Sequence, residues 1–227
     1  MGRHYFEHSL LKKYEIVRDD ENPSGRHYQT PDGYFPSVTT VLAKVKGDEW
    51  LDEWRKSIGY EKAAKISTQA KNRGTQLHKL LEDYIMNKDD WATSCMPSAL
   101  ENFLRIKPWL DSCLECVMGS EFGVYSSHYK TAGTIDLAGV WKNKNSIVDL
   151  KTARRCRKRE DYVHYFVQTA VYGLMLNERL GVPVIDQVVI LMLADDQPLP
   201  YIWEEPISKY EPLVKNIFVR NAVAPLG

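Results

Sequence analysis

"GTIDLAGVWKNKNSIVDLK", Gly133–Lys151, is the stretch on which the reading of this chain turns. Apolar runs flank "KNKN", so it reads as two strands joined by a turn. Successive side chains of a strand alternate between faces. Thr134, Asp136, Ala138 and Val140 therefore share a face of the first strand, and Ile147, Asp149 and Lys151 share a face of the second. A turn centred between Asn143 and Lys144 sets Asp136 opposite Lys151 and Ala138 opposite Asp149. All three charged residues then point to one side, whereas a one-residue slip would separate the Asp136 face from the Asp149 face. Two carboxylates brought together repel unless a proton or cation lies between them. A hard divalent cation with oxygen ligands resolves the conflict. Lys151 would then orient or activate a metal-bound water, or stabilise charge on a phosphate. A bare Asp-x-Lys is also an ordinary salt bridge on an edge strand. The acid thirteen residues upstream of Asp149 favours the site.

Outward from the hairpin, the pattern changes along the chain. "YEIVRDDENPSGRHYQTPDGYFPS" reads as short strands and turns, with "NPSG" and "PDG" as turn signals. Ser37 is a candidate N-cap for a helix over "SVTTVLAKV". A long helix-rich segment follows, with breaks expected near Gly59 and Gly74, then a helix over "PSALENFLRIKPWLDSCLEC" kinked or divided near Pro108. After Cys116, "VMGSEFGVYS", "TAGTIDLAGVWK" and "NSIVDLK" read as three successive strands. Next comes a helix over "EDYVHYFVQTAVYGLMLNERLG" that Gly181 would stop, then strands at "VIDQVVILMLAD" and "PYIWEE", and a helix over "SKYEPLVKNIFVRNAV". This order predicts a mixed α/β domain whose sheet is covered by helices. We expect a single domain over 1–227, with a helical lobe over about 37–115 and the sheet core with its covering helices over about 116–227.

The 227 residues, 44% hydrophobic and 26% charged, suit one globular unit. Thirty basic and thirty acidic residues cancel, so bulk charge argues neither for nor against nucleic acid. No apolar run approaches the ~20 residues of a membrane span, and the N-terminal stretch resembles neither a secretory signal nor a transit peptide. The expectation is a soluble, intracellular chain with no membrane partner. Cys113-x-x-Cys116 resembles half of a metal site, but Cys95 and Cys156 form no matching pair. Small buried hydrophobes are the simpler reading of the cysteines.

Taken together, "GTIDLAG" and "SIVDLKT" resemble the core of the PD-(D/E)xK nucleases, in their RecB-like exonuclease branch. Gly74 and His78 in "RGTQLH", and Gln168 and Tyr172 in "QTAVY", match two further elements of that branch in the right order. "FPSVTTVL" and "SEFGVYS" extend the likeness toward the mitochondrial genome maintenance exonucleases and related phage exonucleases. The matches run from about Phe35 to Tyr172. Each motif alone is weak, and their order makes the set specific.

The resemblance implies a restriction-endonuclease-like core, α/β in class, with a central mixed β-sheet flanked by helices and an N-terminal helical region. It also implies a divalent-metal-dependent DNA exonuclease acting on single-stranded DNA with free ends, in replication, repair or recombination. His78, Asp136, Asp149 and Lys151 become the catalytic set. His78, Asp136, Asp149, the Leu150 carbonyl and, through water, Glu121 become metal ligands. Mg2+ or Mn2+ would fit, with manganese the more tolerant of nitrogen. Gln168 would hold the lysine or a DNA phosphate, and Tyr172 would support the site. Arg73, Arg154 and Arg155 are candidate phosphate contacts, the last two within a run that carries six Lys or Arg between Lys151 and Arg159. Ser37, Thr39 and Thr40 would donate to phosphates from a helix start. Trp50 and Trp54, one turn apart, would stack bases or pack in the core. The cysteine positions do not match the iron–sulfur branches, so no cluster is expected. A cytoplasmic location follows, in the host if the source is viral. A helicase or recombination partner stays unspecified. The rival readings are a structure-directed endonuclease and a catalytically silent DNA-binding protein on the same fold.

Overall fold

The structure, a computed structural model, describes residues 4–46, 59–93 and 95–219. Trp50 and Trp54 lie outside the described residues. In chain order the strands are β1 (Glu7–His8), β2 (Val17–Asp19), β3 (His27–Thr30), β4 (Gly33–Pro36), β5 (Leu114–Ser126), β6 (Thr131–Trp141), β7 (Lys144–Ala153), β8 (Gln187–Ala194) and β9 (Tyr201–Pro206). The main helices are α1 (Val38–Lys46), α2 (Tyr60–Ile85), α3 (Pro97–Cys113) and α4 (Val163–Leu180).

The β6–β7 hairpin turns on Lys142 and Asn143, both at positive φ (48° and 63°). A two-residue turn of this hand matches the natural twist of the strands it joins. Trp141 pairs with Lys144 and Leu137 with Val148. The turn thus centres one residue earlier than expected, and every partner moves by two. Pairing ends at Leu137↔Val148, and carrying its register one residue further sets Asp136 opposite Asp149, not Lys151. An even shift keeps each side chain on its face, so the expected grouping of charges survives the correction.

Six strands form one mixed sheet in the order β1-β5-β6-β7-β8-β9. β5, β6 and β7 are an antiparallel meander, and β8 pairs parallel to β7. A parallel neighbour needs a crossover, and α4 supplies it. Gly181 ends α4 in the left-handed conformation (φ 73°), returning its N–H to Asn177 and Glu178 carbonyls. Helices cover both faces. Leu77, Leu81, Phe103 and Ile106 of α2 and α3 pack on Leu137, Val148, Leu150 and Leu191. On the other face, Phe166, Ala170 and Met175 of α4 pack on Ile147, Val188 and Ile190. Burial on both faces explains why β8 is an unbroken apolar run with all eight residues buried.

The helices of the 37–115 region therefore include the cover of one sheet face. α2 runs through Gly74 without the expected break. α3 runs through Pro108 and ends at Cys113, and β5 begins directly after it at Leu114. The C-terminal segment, expected as one helix, is helical among the described residues but not uniform: a 3-10 turn over Ile207–Lys209 leads into a helix over Glu211–Val214 that widens to π geometry over Lys215–Val219. No described helix is long and apolar enough to cross a membrane.

The strands β2, β3 and β4 make a second, three-stranded sheet. Ser37 follows it and caps α1, its Oγ accepting from Thr40 N at 3.0 Å. Ser37 also bridges to Ala132 of β6, and Thr131 Oγ1 donates to the Pro36 carbonyl at 2.9 Å. Asp32 accepts from Ser127 and pairs with Arg179 at 3.2 Å. These contacts fix the small sheet against the end of β6 that leads to Asp136.

Candidate active site

The site lies where the main sheet splits. β6 and β7 pair only from Trp141↔Lys144 to Leu137↔Val148. Beyond that, β6 continues with β5 as far as Ser126↔Thr131, while β7 continues with β8 as far as Ala153↔Ala194. At the parting, Leu150 N donates to the Asp136 side chain (Oδ2, 3.0 Å) in place of a backbone partner. On β5, Glu121 takes a left-handed conformation (φ 44°) between the rungs Ser120↔Leu137 and Phe122↔Ile135, which sets it opposite Asp136. Glu121, Asp136 and Asp149 thus form a row across three neighbouring strands, where the regular ladder gives way.

α2 brings His78 to this row. Its Nδ1 lies 3.3 Å from Glu121 Oε1 and 3.5 Å from Asp136 Oδ1, and its Nε2 lies 3.0 Å from the Leu150 carbonyl oxygen. One ligand atom from each of His78, Glu121 and Asp136 falls within 4.8 Å of the others. Two carboxylates and an imidazole, with a carbonyl beside them, fit a divalent cation. Glu121 is here a direct member of the group. Gly74, one turn before His78, lines the same cleft, and a Cβ there would meet nothing within 4 Å.

Asp149 is placed differently. It is buried, and Lys151 Nζ lies 2.8 Å from its Oδ1 and 2.7 Å from Oδ2, with hydrogen-bond geometry to Oδ1 alone. Burial pushes the Asp149 carboxyl up to about 6, against the pull of the Lys151 ammonium. Burial would lower Lys151, but Asp149 and Asp136 outweigh it and hold the amine charged above its ordinary range. The Tyr165 ring lies 5.3 Å below the same Nζ. Burial also opposes a proton on His78, yet the Asp136 charge and the Glu121 hydrogen bond raise that imidazole to about 9.

A cleft of about 510 Å³ opens over these groups. Of the expected residues, Ser37, Thr39, His78, Glu121, Asp136, Lys151, Gln168 and Tyr172 line it. Tyr172 packs so closely on Gly133 that a Cβ there would lie 2.6 Å from its ring. The glycine of "GTID" is the room that Tyr172 needs. Gln168 Nε2 lies 3.5 Å from the Tyr172 hydroxyl. Thr40 is buried and bonded to Ser37 and the Arg26 carbonyl. Arg73 pairs with Asp195 at 2.9 Å, and Arg154 and Arg155 are exposed beyond the cleft lining. Sequence reasoning missed Arg18, Arg26, Tyr28, Lys79 and Glu82, which all line the cleft. No local signal marks the first three, because a separate sheet carries them there.

No family model and no curated protein matches the chain. Among solved structures, one from Eubacterium rectale named "Putative exonuclease" superposes with a TM-score of 0.44 at 16% identity, covering 67% of this chain and 64% of that one. The chain thus spans just under two thirds of that relative. The structure of a protein named SSO0001 gives a TM-score of 0.31 at 14% identity, over 66% of this chain and 84% of that one. At such identities and TM-scores neither likeness bears on function.

Proposed function

We propose that this chain is a divalent-metal-dependent deoxyribonuclease of the PD-(D/E)xK superfamily, in the RecB-like exonuclease branch, acting on single-stranded DNA with free ends. The observation that carries the reading is the row Glu121–Asp136–Asp149 at the split between β6 and β7, with His78 closing it from α2 and Lys151 beside it. His78, Glu121, Asp136 and the Leu150 carbonyl would hold Mg2+ or Mn2+, and Asp149 is a further carboxylate at its edge. When bound, such a cation supplies a water of lowered pKa and neutralises phosphate charge. The residues around it have distinct tasks. Leu150 N fixes one oxygen of Asp136, leaving the other toward His78. Asp149 holds the Lys151 amine in the cleft wall, where it can donate to the attacking water or a phosphate oxygen. Ser37, Thr39 and Gln168 add neutral donors along the same cleft.

The test uses end-labelled linear and covalently closed circular DNA, single- and double-stranded, with magnesium or manganese. Cleavage of linear single strands that stops in EDTA, and that Asp136→Ala and Lys151→Ala abolish, is the expected result. Absence of metal-dependent cleavage on every substrate would sink the reading. Cleavage of closed circles would make the enzyme an endonuclease instead.

A further inference from the structure

The acids of the cleft, Glu82, Glu121 and Asp136, repel a polyanion, so something in its wall must hold one. Among the described residues, the Lys and Arg side chains that line it are Arg18, Arg26, Lys79 and Lys151. Two of these, the lysines, have acids of their own. Lys151 is held by Asp149, and Lys79 lies 2.8 Å from Asp83 and 3.5 Å from Glu82.

Arg18 and Arg26 are arranged differently. Arg18 is the middle residue of β2, Asp20 directly follows that strand, and Arg26 directly precedes β3. The Nε of Arg18 donates to Asp20 Oδ2 and the Nε of Arg26 to Asp20 Oδ1, each at 2.7 Å. One carboxylate thus orients two guanidiniums by their Nε atoms. Among the described residues nothing else takes their terminal nitrogens. The side chains are 46% and 35% exposed, and the trio keeps a net positive charge. The backbone beneath is fixed. The Arg26 carbonyl accepts from Ser37 N at 2.8 Å and Thr40 Oγ1 at 2.9 Å, and Tyr28 Oη meets Thr134 Oγ1 of β6 at 3.3 Å. A guanidinium presents paired donors that match a phosphate, and two held side by side can grip one or two neighbouring phosphates.

We infer that the Arg18–Asp20–Arg26 fork is a phosphate grip, holding the backbone of a single-stranded polynucleotide as it enters the cleft over His78, Glu121 and Asp136. The inference rests on the nuclease reading for its choice of ligand. It assigns the anchoring to the small N-terminal sheet, and not to the basic run Arg154–Arg159.

Binding of a 5′-fluorescein-labelled single-stranded oligonucleotide is measured by anisotropy across a salt series, with calcium in place of magnesium. Arg18→Ala with Arg26→Ala should weaken binding about tenfold or more, and should lower the slope of log affinity against log salt by about 1.4, two contacts at ~0.7 each. Arg154→Ala with Arg155→Ala should change neither. In turnover with magnesium, the Arg18/Arg26 variant should raise KM with little change in kcat. If that double variant misfolds by circular dichroism, Arg18→Ala alone at its exposed position should lower the slope by about 0.7. Wild-type affinity and slope in the Arg18 and Arg26 variants, with loss in the Arg154/Arg155 variant, would overturn the grip while the nuclease reading stands. A wild-type protein that neither binds nor cleaves DNA would remove both.

Discussion

Among the described residues Asp149 is the one buried carboxylate, and Lys151 is its ion-pair partner. Asp149 is 2% exposed, its partner amine is mostly buried, and one of its oxygens lacks a hydrogen bond. Removing one member of such a pair strands the other, at a cost of about 3–5 kcal/mol, whereas replacing both by apolar residues of similar size is close to neutral. We expect Asp149→Ala and Lys151→Ala each to lose about 3 kcal/mol in urea denaturation. Asp149→Leu with Lys151→Met should lose far less than their sum, and additive losses would show that the pair is not coupled in the fold. His78 gives a pH dependence. Its imidazole is raised from 6.5 to about 9, so it is protonated at neutral pH in the metal-free protein. That contribution to stability is full below pH 6.5 and is lost as pH rises through about 9. A ligating imidazole must be neutral, so if His78 takes the proposed cation, binding displaces the proton. Calorimetry with manganese at pH 7 should register about one proton released, with apparent affinity climbing toward pH 9, and His78→Asn should release none. A His78→Asn protein with the same proton release would place the proton elsewhere.

Among the elements, β6 is closely packed where it passes α4. Gly133 faces the Tyr172 ring, and an added Cβ would lie 2.6 Å from it. Gly133→Ala must push Tyr172 and, through it, Gln168. Overpacking of this kind costs about 1–3 kcal/mol. A lower Tm with an altered Tyr172 environment is expected, and Tyr172→Phe with Gly133→Ala should not recover it. A companion Tyr172→Leu, which withdraws the ring, should recover part of it, and no rescue would show that the strand itself is strained. The same scale explains what was legible in the sequence. Alternation found Asp136, Asp149 and Lys151 because its period survives a two-residue error in the turn. Gly74 and Pro108 misled because local propensity was outweighed. A mid-helix glycine costs about 1 kcal/mol, which the buried Leu77, Leu80, Leu81 and Tyr84 beyond it offset. Pro108 frees the Leu104 carbonyl, and Leu104 sits on the exposed side of α3, where water can satisfy it.

Across the whole molecule, helices before a meander, then a helix and two strands, were enough to indicate a covered mixed sheet. They were not enough to show which strands part. Past the opening β7 keeps β8 as its strand partner, a contact between residues about forty positions apart that no local pattern encodes. Nor did the short strands near the N-terminus reveal that they form a wall of the cleft. Their sheet rests on a small cluster, Tyr28, Phe35, Tyr125 and Ala132, while the main sheet is packed on both faces. Segments with few buried contacts open at lower free energy than the core. Native-state hydrogen exchange should therefore find two levels. Amides of β7 and β8 should exchange last, near the free energy of global unfolding. Those of β2, whose residues are largely exposed, should exchange first, with β3 and β4 between them. Asp32→Ala removes the acceptor of Ser127 and the partner of Arg179, so it should hasten exchange in β3 and β4 and leave β7 and β8 unchanged. If β2, β3 and β4 exchange as slowly as β8, the two sheets form a single cooperative unit, and the wall of the cleft is as rigid as its floor.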